Sequence, residues 1–220
     1  MVSVIISDSL KQSYPDAIFG NLIVKNIINK INDPQLERRK RNFENFLRND
    51  YQRLVEDEIL NIFKQHFKKW DKSYPIEFQL QSIIKGKTLP QVSVLVDSMF
   101  HAELKNLILT SGHDLDQIEG SLIFDSTIGN ESFLKINGKD QQLKEGDILL
   151  RDDKGILANI LYGPAKRTAI TMNTKNSLYF AWCPRGIDTN TVKNHLEEIL
   201  SNLKMVYDSI LSDIAIYKTN

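Results

Sequence analysis

The 220-residue sequence contains a single cysteine, Cys183. One cysteine excludes an intrachain disulfide and a zinc site built from several cysteines, and a reducing compartment such as the cytoplasm is expected. No segment approaches the roughly 18 uninterrupted apolar residues that a membrane-spanning helix needs. The N-terminal residues MVSVIISD lack the basic start and long apolar stretch of a secretory signal. The sequence therefore predicts a cytoplasmic protein that does not span a membrane.

An excess of charge of either sign is also absent. The chain has 28 Lys and Arg residues against 28 Asp and Glu residues, so its formal net charge is zero. This balance argues against a partner held over the whole surface by charge, while a local basic patch stays possible. Hydrophobic residues make up 41% and charged residues 25%, as is usual for a globular protein. The length allows one well-buried core, or at most two small domains.

Several widespread catalytic motifs are missing. The sequence has no glycine-rich phosphate loop, no Gly-x-Ser-x-Gly and no His-Glu-x-x-His. The four histidines do not have the spacing of metal ligands, so we expect no metal and no cofactor: they are His66, His101, His113 and His195. His101 and His195 fall within predicted helices. We expect His101 at the surface or half-buried rather than as a ligand, and His195 on the polar side of its helix with no part in a site. Cys183 has no partner histidine in sequence and is not predicted to be a nucleophile.

Apolar periodicity predicts strands at Val2–Ser7 and Ala17–Ile28, and we expect these two to pair with each other. Asp33-Pro34 then opens a helix whose apolar residues recur every three or four positions as far as Trp70, with a possible break near Asn49-Asp50. Its opposite face carries the cationic run Arg38–Arg41, which fits either a phosphate-binding surface or a solvated helix face. The acidic residues among these cations favour the solvated face.

The rest of the chain predicts helices at residues 76–85 and 94–108, then mostly antiparallel strands between 121 and 182, including one at 168–171. Asn137-Gly138 predicts a hairpin, Gly163-Pro164 is expected to end a strand, and a helical stripe from Asp188 to Tyr217 predicts one long C-terminal helix.

We expect an α+β fold of mixed or antiparallel sheets with packing helices, in a single compact domain over 1–220. It divides into an N-terminal strand pair and helical region (1–75), a core module (76–185) and a C-terminal helix (186–220).

One stretch stands out as a candidate site. A predicted helix containing Leu95-Val96-Asp97 leads into Gly112-His113-Asp114, where a histidine lies between a glycine and an aspartate in an expected loop. Asp114 and Asp116 are interpreted as residues that cap this turn rather than as metal ligands.

Residues 78–180 resemble the editing module, the B-three/B-four domain, of phenylalanyl-tRNA synthetase β subunits, and are more similar to standalone proteins that consist of this module. The resemblance is carried in one order by five motifs: Ile83-Ile84-Lys85-Gly86-Lys87-x-Leu89-Pro90, Leu95-Val96-Asp97, Gly112-His113-Asp114-Leu115-Asp116-x-Ile118-x-Gly120, Gly146-Asp147 with Asp152-Asp153, and Arg167-Thr168-x-Ile170-Thr171-x-x-Thr174-Lys175-Asn176.

The resemblance implies hydrolysis of the ester of a wrongly charged tRNA, acting in trans on the aminoacylated 3′ end, with no DNA partner and no cofactor. It implies that His113 is the catalytic pocket histidine, which orients the water or the ribose hydroxyl, and that Asp114 fixes its ring. It further implies a substrate-binding set, which is Asp97, Met99, Phe100, Gly112, Thr168 and Thr171. Lys166 and Arg167 are two bases beside it that could meet tRNA phosphate or an acidic group.

Two departures from the family pattern bear on activity. Met99 and Phe100 stand where the synthetase module has a Thr-Asn pair, which makes this part of the pocket apolar. The synthetase glutamate that follows a Gly-Gly pair has no counterpart in Gly163-Pro164-Ala165-Lys166-Arg167. The alternative function is therefore a noncatalytic module that binds tRNA or an amino-acid-like ligand, and a third possibility is a scaffold for a protein partner.

Overall fold

The computed structural model describes residues 3–49 and 57–220. The strand prediction at Val2, the break at Asp50 and the apolar positions Tyr51 and Leu54 lie outside these ranges. Within them the helices are α1 (Asp8–Ser13), α2 (Pro34–Asn49), α3 (Glu58–Lys68), α4 (Pro75–Ile84), α5 (Val94–Asn106) and α6 (Thr189–Lys204). The strands are β1 (Val4–Ile6), β2 (Ile18–Lys25), β3 (Thr110–Asp114), β4 (Leu122–Ser126), β5 (Ser132–Leu134), β6 (Asp140–Gln142), β7 (Ile148–Arg151), β8 (Ile156–Asn159), β9 (Gly163–Pro164), β10 (Ser177–Cys183) and β11 (Leu211–Lys218).

Two sheets enclose the core. The first has the order β11-β2-β10-β3 and is antiparallel throughout, and the second has the order β1-β4-β7-β8-β9. In the second sheet only the β1–β4 pair is parallel among the described strands. Phe19 and Phe180 of the first sheet stack on Phe124 of the second, with ring centroids 4.8 and 4.5 Å apart. This mixture of sheets and helices confirms the predicted α+β fold class.

Helices α5 and α6 cover the other face of the first sheet. The approach of α6 is close at Gly20, where an added Cβ would lie 2.8 Å from side-chain atoms of Leu196 and Val192. A larger residue at position 20 would therefore force these side chains to shift. Within the described ranges, no helix combines the length and the apolar character needed to cross a bilayer.

The expected pairing of the first two strands is wrong. β1 pairs in parallel with β4, whereas β2 lies in the other sheet between β10 and β11. Between them the chain forms the short helix α1, whose N-cap Ser7 accepts a hydrogen bond from the backbone of Leu10 at 3.1 Å. This helix redirects the chain from one sheet to the other, so the two strands are neighbours in sequence only.

The prediction of one long C-terminal helix is also wrong. Helix α6 ends at Lys204, and β11 then pairs along its whole length with β2. Ile214 and Ile216 are two residues apart and β-branched, which is the strand signal that the apparent helical stripe concealed.

Two shorter predictions fail and one is confirmed. The expected strand at residues 168–171 is absent, because Lys166–Thr168 form a 3-10 turn. Gly163-Pro164, which was expected to end a strand, instead forms β9 against β8. The hairpin at Asn137-Gly138 is confirmed by the pairing of β5 with β6, and Gly138 has the positive φ of 78° that favours glycine.

The cationic face of α2 is largely neutralised by carboxylates. Lys40 is 1% exposed, and its Nζ lies 2.7 Å from Asp97 and 2.6 Å from Glu37. Arg41 pairs with Glu44 at 2.6 Å, and Arg39 pairs in the same way with a carboxylate of α6. These contacts join α2 to its neighbours, which favours an ion-paired helix face over a phosphate-binding surface.

The expected surface positions of His101 and His195 are wrong, since both rings are buried. His101 Nδ1 lies 3.1 Å from the amide nitrogen of Asn202. His195 lies between the hydroxyl of Thr110 at 2.6 Å and the amide nitrogen of Asn106 at 3.2 Å. Burial lowers the pKa of His101 to about 4 and that of His195 to about 3, so both are neutral at physiological pH.

Candidate functional site

A cavity of about 620 Å³ lies beside β3, the edge strand of the four-stranded sheet. Helix α5 contributes Val96, Met99, Phe100 and Glu103 to its wall, which are spaced so that they share one helix face. Strand β3 contributes residues 110–112, and the five-stranded sheet contributes residues 148–150 and 158–164. The lining is mostly apolar with a few polar groups, which is the usual character of a small-molecule site.

The sequence did not single out Glu103, a buried acid in this wall. The residue is 3% exposed, and its Oε1 accepts a hydrogen bond of 2.6 Å from the backbone N–H of Thr110. Burial raises the pKa of Glu103 from 4.5 to about 8, because an apolar setting disfavours the charged form. The available signal was its helical spacing, four residues after Met99 on the same face.

His113 lies in β3 and not in the expected loop, and it is completely buried. Its Nδ1 lies 2.9 Å from the hydroxyl of Thr168, and its Nε2 lies 3.0 Å from the hydroxyl of Ser111. Burial lowers the pKa of His113 to about 3, with a further contribution from the nearby charge of Arg167. The cavity is lined by Ser111 and not by His113. The histidine therefore holds the serine hydroxyl from behind.

Asp114 does not orient the ring of His113, contrary to expectation, because successive side chains of a strand point to opposite faces. One oxygen accepts a hydrogen bond from the backbone N–H of Asp116 at 3.1 Å, and the other accepts one from the hydroxyl of Thr174 at 2.7 Å. The ring is instead fixed by Thr168 and Ser111.

Asp97 lies outside the lining of the cavity. Its side chain is 1% exposed, its Oδ2 pairs with Lys40, and its Oδ1 accepts a hydrogen bond of 2.9 Å from the backbone N–H of Val92. Both oxygens are engaged, so Asp97 ties α2 to the start of α5 rather than facing a ligand.

Met99, Phe100 and Gly112 line the cavity together. A Cβ at position 112 would lie 2.9 Å from Ile170 Cδ1 and 3.1 Å from Met99 Sδ, so glycine lets these two side chains pack close to the strand. Alternate backbone N–H groups of an antiparallel edge strand point to the same side. Since Thr110 N–H points away from β10 toward Glu103, we expect the Gly112 N–H to face the cavity as well.

The remaining predicted residues lie around the cavity but do not line it. Thr168 is buried behind His113, and the backbone N–H of Thr171 donates to the hydroxyl of Thr174 at 2.9 Å. Arg167 pairs with the buried carboxylate of Asp152 and donates to the carbonyl of Gly155 at 2.9 Å. Arg167 is thus committed to internal contacts, and Lys166 is the exposed cation of the pair.

Two lysines that the sequence did not single out also line the cavity. Lys72 Nζ lies 4.6 Å and Lys135 Nζ 5.8 Å from the centroid of the Tyr162 ring. No ion pair joins either lysine to a carboxylate in the described part of the chain. They give one side of the cavity a positive charge.

The same ranges contain no group of three or more His, Cys, Asp or Glu side chains placed to hold a metal ion. Asp116, beside the histidine in sequence, instead accepts hydrogen bonds of 2.8 and 3.0 Å from the amide of Asn176. Cys183 is buried, and burial raises the pKa of its thiol well above the physiological range. It is therefore not an activated nucleophile.

Comparison with known proteins agrees with the resemblance seen in the sequence. The phenylalanine–tRNA ligase beta subunit of Mycoplasma genitalium is 33% identical over 90 residues, which cover 41% of this chain and 11% of that protein. The corresponding subunit of Mycoplasma pneumoniae is 32% identical over 68 residues, covering 31% of this chain and 8% of that protein. The chain therefore matches only about a tenth of the length of these curated relatives.

A solved structure shows the same fold. The N-terminal fragment of the phenylalanyl-tRNA synthetase beta subunit from Pyrococcus horikoshii superimposes with a TM-score of 0.50 at 13% identity, covering 96% of this chain and 54% of that fragment. The family model described as the B3/4 domain matches residues 60–207. Because this match spans well over half of the sequence, the chain belongs to the B3/4 domain family.

Proposed function

We propose that this protein hydrolyses the ester bond of wrongly charged aminoacyl-tRNA in trans, in the cytoplasm. The observation that carries the proposal is the mostly apolar cavity of about 620 Å³ beside β3, with Ser111 and Gly112 in its wall. Membership of a domain family whose relatives are phenylalanine–tRNA ligase beta subunits supports aminoacyl-tRNA as the substrate class.

In this proposal the amino-acid side chain occupies the apolar part of the cavity, against Met99 and Phe100. The ester carbonyl faces the hydroxyl of Ser111 and the N–H of Gly112, which stabilise the oxygen as it becomes negative. Water attacks the carbonyl carbon, the bond to the ribose oxygen breaks, and that oxygen leaves with a proton. His113 is a positioning residue, since its ring holds the Ser111 hydroxyl at 3.0 Å and does not reach the cavity.

Positioning and electrostatics, rather than a protein base, would supply the rate enhancement. His113 is neutral but buried, and Glu103 holds its proton at neutral pH in the free protein. The proton that the attacking water loses therefore passes to solvent, or passes by way of the neighbouring ribose hydroxyl of the tRNA, which releases its own proton to the leaving oxygen. On the cavity's cationic side, Lys72 and Lys135 would meet phosphate, with Lys166 as a further contact.

A second function, noncatalytic binding of an aminoacylated end, is favoured by one observation. Glu103, the acid of the described cavity wall, holds its proton at neutral pH in the free protein, so it is not ionised to act as a general base there.

The test is a panel of tRNAs, each charged with a correct or an incorrect labelled amino acid, incubated with and without the protein. We expect at least one incorrect pairing to be hydrolysed faster with protein than without it. Ser111→Ala should slow that reaction by about 10-fold or more, because it removes a donor to the developing charge. Ser132→Ala, on the exposed hairpin strand β5, is the matched control and should leave the rate unchanged.

If no tRNA in the panel is hydrolysed faster than it decays alone, the enzymatic proposal fails. Tight binding of charged tRNA without hydrolysis, weakened steeply by salt, would then support the noncatalytic function.

A further inference from the structure

Glu103 places a carboxyl group in a cavity that is otherwise mostly apolar. Among the lining residues of the described chain it is the one acid. Its Oε1 is engaged by the backbone N–H of Thr110, and no contact with another described residue involves its second oxygen. The residue as a whole is 3% exposed.

Two other polar side chains of the same wall are incompletely bonded. Asn159 donates through its amide nitrogen to the carbonyl of Ile148 at 3.1 Å, but its Oδ1 has no partner among the described residues. The indole N–H of Trp182 also lacks one in those ranges. A buried polar atom without a partner costs about 1–3 kcal/mol, so such atoms call for a ligand or ordered water. The unpaired Oδ1 of Asn159 calls for a hydrogen-bond donor and the Trp182 N–H for an acceptor. The Glu103 carboxyl becomes an acceptor when it ionises, and a cationic donor favours that ionised form.

We propose that Glu103 binds the ammonium group of the ligand that occupies this cavity, an α-amino acid held as an ester or amide. This inference rests on the proposed function, which it extends by assigning the residue that recognises the amino group. When the ammonium group enters, the carboxylic acid gives up its proton to solvent and forms a charge-assisted hydrogen bond in an apolar setting. An uncharged ligand of the same shape gains no such contact.

The distribution of charge within the cavity agrees with this orientation. The cations Lys72 and Lys135 lie against Tyr162, which Glu103 does not contact in the described structure. Tyr74, which is close enough to feel the charge of Glu103, is buried and stays neutral because burial raises its pKa well above the ordinary value. Amine recognition and phosphate recognition are thus assigned to different side chains.

A purely structural role is separable from this one. If Glu103 serves only to accept the hydrogen bond from Thr110, glutamine provides an amide oxygen that accepts it equally well. Glu103→Gln therefore keeps the fold contact and removes the negative charge. Glu197→Gln is the matched control, because Glu197 lies exposed on α6, pairs with Lys193 at 3.6 Å and is not part of the cavity wall.

The experiment measures binding to the whole protein by titration calorimetry. The probes are phenylalaninamide, tyrosinamide, leucinamide and methioninamide, each with the amide of the same shape that lacks the amino group. We expect at least one amine probe to bind the natural protein about 10-fold tighter than its partner lacking the amine. Glu103→Gln should abolish that preference and leave the affinity of the amine-free probe unchanged, while Glu197→Gln should change neither.

The proposal is overturned if no amine probe binds, if the preference survives in Glu103→Gln, or if that variant loses both probes equally. Because the probes contain no tRNA and no ester, this result is independent of the deacylation assay. Amine binding without hydrolysis counts against the proposed activity alone, and hydrolysis without amine preference counts against the role of Glu103 alone.

Discussion

The buried carboxyl of Glu103 should make the stability of the protein depend on pH in a specific direction. Its pKa is about 8 in the folded protein against an ordinary value of 4.5. A carboxyl with the higher pKa in the folded state holds its proton more tightly when folded. Its stabilising contribution is therefore complete below pH 4.5 and is lost as the pH rises toward 8.

The size of the effect follows from the two pKa values. Each pH unit between them is worth about 1.36 kcal/mol, so the whole interval of about 3.5 corresponds to roughly 5 kcal/mol. At pH 7, which is about 2.5 units above the ordinary pKa, roughly 3 kcal/mol of this contribution is already lost. That is a large part of the free energy of unfolding of a typical domain, which is about 5–15 kcal/mol.

The assay compares urea unfolding of the natural protein and of Glu103→Gln at pH 5, 6, 7 and 8. Other titrating groups are common to both proteins, so the difference in unfolding free energy isolates Glu103. As the pH rises, we expect the unfolding free energy of Glu103→Gln to increase relative to that of the natural protein by up to about 1.4 kcal/mol per pH unit. Two curves that stay parallel from pH 5 to pH 8 would refute the reasoning, because they would show a carboxyl that ionises as it does in water.

Three further predictions concern residues around the cavity. Gly112→Ala should weaken binding of the amide probes by about 10-fold or more, because its methyl group crowds Ile170 and Met99 in the cavity wall. The cost to the fold should be small, and an unchanged affinity of the folded variant in calorimetry would contradict the prediction. His113→Ala should lower the unfolding free energy by about 2–4 kcal/mol, because it leaves a cavity and deprives Thr168 of its partner; urea unfolding that matches the natural protein would argue against a buried ring. Lys40→Met should lower the unfolding free energy by about 3–5 kcal/mol, because it leaves the buried Asp97 without its partner. Adding Asp97→Leu should restore most of that loss. Thermal unfolding measures both variants, and equal losses in the single and the double variant would rule out the unpaired charge as the cause.

The sequence predicted best those elements whose signals are local. The start of α2 at Pro34 and the glycine turn at Gly138 depend on conformational preferences of a few adjacent residues. Family membership was likewise within reach, because the motifs around Gly112 keep their order along the chain. Such signals do not require knowledge of what packs against them.

What the sequence could not reveal depends on distant partners. His195 sits on α6 but is buried by contact with Thr110, 85 positions earlier, which helical spacing cannot indicate. His113 was interpreted as a pocket residue from its place between Gly112 and Asp114 and from the family resemblance, yet strand alternation and burial behind Ser111 set its surroundings. Both errors assumed that a polar side chain faces water or a ligand unless its neighbours in sequence say otherwise.

The position of β2 has a consequence for the newly made chain. Its partners β10 and β11 come from the far end of the sequence, and Lys25 pairs with Leu211 while Ile18 pairs with Lys218. At a synthesis rate of about 5–20 residues per second, the interval between β2 and its last partner is roughly 10–40 s. Until β10 is made, this apolar strand has both hydrogen-bonding edges open, and one edge stays open until β11 follows. The protein should therefore be most prone to aggregate while it is being made, and chaperones that cover extended apolar segments should matter more to its yield than to its stability once folded.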